Sequence, residues 1–278
     1  MIVLDAAICQ LARERLTSEC VKMNALLLGL LDSKGRVAEE IHAIRKLGKS
    51  LRGGFALFRL EKSASLEIQA IGRLLSGPRD AVSRLNTWNK LGWVGDPGIS
   101  AAIAGLLDQQ THSAARRPPP ETIAWCADRV GAALDELQSL PAEHLPERIS
   151  KGLAKLEKRT RQRCRKLDRE QEEDFHEARK AVKAWLGAIH ALPENTIVPN
   201  PVLHEIAELL GDENDLTTLT TWLHGHGFTR RFAPDLWKTI RSSRKRMQRK
   251  AIKEASRLAA GIVGDLAQPV TSSGAPPA

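Results

Sequence analysis

Two distant segments of this chain repeat one another, and that repeat restricts the fold more than any other feature. EEIHAIRKLGKSLR begins at Glu39 and EDFHEARKAVKAWL begins at Glu173. His42, Arg45, Lys46 and Lys49 match His176, Arg179, Lys180 and Lys183, each at an offset of 134. A second pair of blocks keeps the interval. LLSGPRDAVSRLNTW from Leu74 and LLGDENDLTTLTTW from Leu209 align Gly77, Leu85, Thr87 and Trp88 with Gly211, Leu219, Thr221 and Trp222. Asp80 and Asp215 match at 135, after a one-residue shift. Chance can supply one basic tetrad. Two blocks at one interval predict two helical bundles related by approximate two-fold symmetry.

The periodicity within the repeat is helical. Ile41, Ile44, Leu51, Phe55 and Phe58 share one face of a helix over Glu39–Leu60, and Phe175, Ala178, Val182, Trp185 and Ile189 share one over 172–191. Other stretches read as helices at about 4–31, 66–76, 79–91, 99–110, 121–139, 146–169, 202–210, 214–225 and 234–262. Pro and Gly punctuate them, and the run Arg116–Pro120 separates two halves. Aromatic residues make up 4% and Tyr is absent, which disfavours a β-rich fold. The expectation is an all-α fold with one domain over residues 4–262. Its N-terminal bundle covers about 4–117 and its C-terminal bundle about 121–262, with a disordered tail over 263–278.

Positive charge is concentrated. The chain carries +9, yet Arg36–Lys62, Lys151–Arg169 and Lys238–Arg257 hold +4, +7 and +8, so the remainder is −10. Three basic helices that converge would hold a polyanion; one alone reads as a solvated face. His42, Arg45, Lys46 and Lys49 stand at i, i+3, i+4 and i+7, with Arg52 extending the stripe. This stripe borders the apolar one, as it does in the second copy, so it is placed to line a groove between helices. On the 146–169 helix, Lys155, Arg159 and Arg163 run along one edge. On the 234–262 helix, Arg244 falls on the apolar stripe between Ile240 and Met247, flanked by Arg241. A charge there needs an acidic partner or an anion-filled cavity.

Lys and Arg suit phosphate oxygens, and exposed aromatics for stacking bases are missing from these stripes. A phosphate chain, or a nucleic-acid backbone bound without base reading, therefore fits better than sequence-specific recognition. His42 and His176 sit among cations that would repel a metal, so no metal or cofactor is expected. Cys9, Cys20, Cys126 and Cys164 lie far apart without ligand spacing, which fits a reducing cytoplasm. The longest apolar run, Ala25–Leu31, is too short to span a bilayer. Nucleotide-binding, nucleophile-elbow and metalloprotease motifs are absent, so no enzyme is expected.

The paired H-x-x-R-K-x-x-K helices, the L-G-x-x-x-D blocks and the GLxKxxKRxRxR helix at Gly152 resemble the CHAD family, the conserved histidine α-helical domain. The resemblance runs from about residue 4 to 262. It implies two four-helix bundles with accessory helices, related by pseudo-two-fold symmetry around a basic central cavity. It also implies non-catalytic binding of inorganic polyphosphate and association with polyphosphate granules. Carried over by position, it points to His42, Arg45, Lys46, Lys49, Arg52, His176, Arg179, Lys180 and Lys183. One departure stands out: Ser50 and Gly53-Gly54 interrupt the basic run that often follows the first tetrad. The alternatives are weak sequence-independent binding of nucleic acid or, last, a phosphohydrolase or phosphotransferase using the histidines.

Overall fold

Each apolar stripe traced above is buried. Ile41, Ile44, Phe55 and Phe58 are fully enclosed, and Phe175, Ala178, Val182 and Trp185 nearly so. The structure, a computed structural model, describes residues 4–32, 37–114, 117–194, 196–262 and 265–269. Among these are ten α-helices: α1 (Ala6–Gly29), α2 (Val37–Leu57), α3 (Ala64–Leu74), α4 (Ser76–Leu91), α5 (Pro97–Ala114), α6 (Pro120–Gln138), α7 (Leu145–Arg165), α8 (Glu172–Ala191), α9 (Pro201–Gly225) and α10 (Pro234–Ala259).

The two repeated helices, α2 and α8, make the most extensive pairing among the described elements. Around them, α1, α3 and α6 pack on the α2 side, and α7, α9 and α10 on the α8 side. Helix α6 follows the proline connector, yet it packs with the first group. Its Glu136 accepts a hydrogen bond from the Ala64 amide (2.9 Å), capping α3, and Arg129 pairs with Glu67 at 2.6 Å. The α4–α5 hairpin stands apart and builds a second core with α9 and α10. There the matched residues Trp88 and Trp222 are buried in one cluster.

Two expectations need correction. Two helices were expected over 202–210 and 214–225, but α9 runs unbroken from Pro201 to Gly225. A single Gly inside a helix costs only about 1 kcal/mol, so Gly211 does not stop it. In the first copy Pro78 has no N–H to donate to Leu74, and the chain breaks into α3 and α4 at Leu75. The tail was expected to be disordered from 263, but residues 265–269 are placed. Ala267–Pro269 (β2) pairs antiparallel with Ile197–Pro199 (β1). Leu266 is fully buried, and its carbonyl accepts from the Asn200 amide at 2.9 Å. The rest of the expected tail lies outside the described residues.

Candidate functional site

Three glycines bring the basic helices together. A methyl on Gly53 would sit 2.6 Å from the Gly187 Cα and 2.7 Å from the Ala184 carbonyl. A methyl on Gly187 would in turn meet the Ser50 carbonyl at 2.9 Å. Gly53 and Gly187 are separated by the repeat interval, as are Ser50 and Ala184, so equivalent positions of the two copies touch each other. Helix α7 approaches as closely. A methyl on Gly152 would lie 1.9 Å from the carbonyl oxygen of Leu57, at the end of α2. Only glycine permits backbones this near. The interruption at Gly53-Gly54 is thus the point where the two copies cross.

Beside this junction lies a groove of about 360 Å³. Helix α2 contributes Lys49 and Arg52, α7 contributes Lys155 and Arg159, and α8 contributes Arg179, Lys180 and Lys183. Lys62, Ser65 and Gln69 close it from the α2–α3 link and α3, and Glu61 is the one carboxylate in the lining among the described residues. A second hollow of about 260 Å³ shares Lys49, Arg52 and Gln69 and adds Arg45 and Arg73.

Cations dominate the lining of both hollows. The Nε of Arg52 is buried and makes no hydrogen bond among the described residues. Burial, then the nearby charges of Arg73 and Arg159, lower the proton affinity of Arg52. Three cations this close are stabilised by an anion between them. The chain supplies part of that charge itself. Glu177 pairs with Lys180 at 2.8 Å, Arg163 at 3.4 Å and Arg159 at 3.5 Å. The Lys180 hydrogen bond above all, with the charges of Lys180, Arg163 and Arg159, holds its carboxyl below the usual range, against the opposing effect of burial. What Glu177 adds to stability is therefore present above the ordinary carboxylate range and lost as pH falls through its lowered value. Burial pushes Glu61 upward, but hydrogen bonding and charge from Lys155, with Arg59, bring it below its ordinary value.

The expected site residues separate cleanly. Lys49, Arg52, Lys155, Arg159, Arg179, Lys180 and Lys183 line the groove, and Arg45 lines the adjoining hollow. Arg45 also donates to the Gly72 carbonyl and lies 3.8 Å from Asp80, so that aspartate anchors a basic helix. His42, Lys46 and His176 are exposed and line neither hollow. Arg163 is not in the groove lining and pairs with Glu177. Arg241 is exposed on α10.

Arg244 takes the acidic partner rather than the cavity. It donates to Glu213 (2.9 Å), to Glu172 and to Thr217 (3.2 Å), and Gln248 also donates to Glu213. Lys62, Gln69 and Arg73 were missed by the sequence reading. Their signal was present, because Lys62, Leu66, Gln69 and Arg73 repeat at helical spacing along α3 and its entry.

Among the described residues, His, Cys, Asp and Glu do not gather in groups suited to a metal ion. The four cysteines are free and buried, and burial pushes the thiols of Cys20 and Cys164 up to about 12. Also among the described residues, no helix is long and apolar enough to cross a membrane.

A model of the CHAD domain matches residues 22–224. Similar solved structures include the CHAD domain from the plant Ricinus communis, at 17% identity and TM-score 0.65, with 96% of each chain covered. PptA from Streptomyces chartreusis is similar at 14% identity and TM-score 0.50, over 90% of this chain and 98% of that one. Both likenesses are at the level of the fold. A search of curated proteins found no match. With the family model spanning most of its length and the same helical architecture in the Ricinus domain, this chain belongs to the CHAD domain family.

Proposed function

We propose that the chain binds inorganic polyphosphate in the groove between α2, α7 and α8, without turning it over. One observation carries this reading: among the described residues, eight cations from four parts of the chain line one hollow, against a single carboxylate. Arg52, partly buried in that lining and close to the charges of Arg73 and Arg159, is stabilised by an anion. A linear phosphate chain meets successive cations without a base to stack. Among the described residues the lining holds no histidine, and its one carboxylate is engaged by Lys155. That favours retention of the ligand over acid–base chemistry. The proposed setting is the cytoplasm, at polyphosphate granules.

Calorimetric titration tests the reading. Long-chain polyphosphate is expected to bind far more tightly than orthophosphate. The affinity is expected to fall by about a thousandfold between about 50 and about 200 mM salt, as for a duplex-binding protein with about six phosphate contacts. Equal affinity for orthophosphate would sink the proposal. Displacement by duplex DNA at equal phosphate concentration would assign the groove to nucleic acid. Shortening of the polymer with Mg²⁺, lost in His42→Ala, would assign the chain to the enzymes.

A further inference from the structure

A second cationic surface lies on the far face of α10, outside the groove. From Lys238 to Lys253 the helix contains no Asp or Glu. Its eight bases divide in two. Arg244 turns inward onto Glu213 and Glu172 and ties α10 to α9 and α8. Lys238, Arg241, Lys245, Arg246, Arg249 and Lys253 are all exposed. So is Lys250, which pairs with Glu205 at 2.7 Å. The long side chains from Lys245 to Lys253 stand side by side on this open face.

An ordinary solvated face intersperses both signs. This one places like charges four residues apart at 241/245, 245/249, 246/250 and 249/253, a spacing at which they repel along a helix. An external anion relieves that repulsion. The chemistry also narrows the class of anion. Large apolar side chains are not exposed between 238 and 253, so a membrane-inserting face and a base-stacking platform are both missing. Helix α10 is packed on α7 and α9, so only its outer face is open to a partner. The ridge runs about 23 Å along the helix. A stiff duplex touches such a ridge only where its backbone passes, whereas a flexible phosphate chain can follow it.

We infer that the α10 ridge is a second polyphosphate-binding face, so that one protein molecule holds two chains, or two segments of one chain, at once. The inference rests on the polyphosphate reading of the groove, but its test separates the two. The variants are Lys245→Glu/Arg249→Glu/Lys253→Glu on the ridge and Arg52→Glu/Arg179→Glu in the groove, each checked for helicity by circular dichroism. Light scattering with long-chain polyphosphate reads bridging, and calorimetry reads affinity.

The wild-type protein is expected to form large assemblies with long chains. The ridge variant is expected to keep tight binding but scatter at least about tenfold less, because linked sites act through avidity. The groove variant is expected to keep weak, salt-sensitive binding that adding the ridge substitutions removes. A ridge variant that scatters like the wild-type protein overturns the inference. So does a groove variant with no residual binding, or one whose residual polyphosphate is displaced by duplex DNA at equal phosphate concentration. If the groove variant binds like the wild-type protein and the ridge variant does not bind, the groove reading fails and the ridge stands. If neither variant loses binding, both fail.

Discussion

Arg52→Glu combined with Arg179→Glu is expected to lower the affinity for long-chain polyphosphate by at least about a hundredfold. Each charge-assisted contact is worth about 1.5–3 kcal/mol, so losing two exceeds about 3 kcal/mol. Both side chains line the groove, from α2 and α8. Arg52→Gln/Arg179→Gln, which removes the charges without reversing them, is expected to lie between this variant and the wild-type protein. Lys22→Glu/Arg231→Glu makes the same change in net charge at exposed positions that line neither the groove nor the ridge. It is expected to cost less than about tenfold, since long-range charge is screened beyond about 10 Å at moderate salt.

Glu177→Gln tests the same electrostatics with the opposite sign. It removes a carboxylate that engages Lys180, Arg163 and Arg159, and affinity is expected to rise about threefold. Equal losses in the groove and control pairs, measured by titration at matched salt, would mean that only net charge matters.

The second large effect is on stability. Gly152→Val is expected to lower the melting temperature by about 10 °C and to weaken polyphosphate binding with it. The new side chain would start 1.9 Å from the Leu57 carbonyl oxygen, a backbone atom that a rotamer change cannot move. Overpacking of this kind costs about 1–3 kcal/mol or more, and each kcal/mol shifts a chain of this size by about 2–4 °C. If α7 moves off α2, Lys155 and Arg159 move with it. Gly211→Ala is the contrasting substitution. Nothing lies within 4 Å of its new methyl, so replacing Gly inside α9 is expected to add up to about 1 kcal/mol. Thermal unfolding by circular dichroism reads both. A Gly152→Val melting point within about 2 °C of the parent would contradict the close α2–α7 approach.

Much of this was legible in the order of the residues. The apolar stripes of α2 and α8 and the cations beside them follow from helical spacing, and these positions are where burial and groove lining are found. The histidines were harder, because spacing puts His42 on the stripe without saying how far the groove reaches along α2. Arg244 on an apolar stripe announced that it needed a partner, but Glu213 and Glu172 belong to helices that only tertiary packing brings near. Gly53 and Gly187 stand at the repeat interval, and their spacing was readable. Their role was not, since a close backbone approach leaves no periodic pattern. The β1–β2 ladder rests on main-chain bonds between three-residue strands, too short for an alternation to register.

A crystal structure with a defined polyphosphate bound tests the central claim most directly. Successive phosphates are expected within hydrogen-bond distance of Arg52, Lys155 and Arg179, in the hollow beside the Gly53–Gly187 crossing. A phosphate chain ordered elsewhere on the protein, with these three side chains untouched, would contradict it.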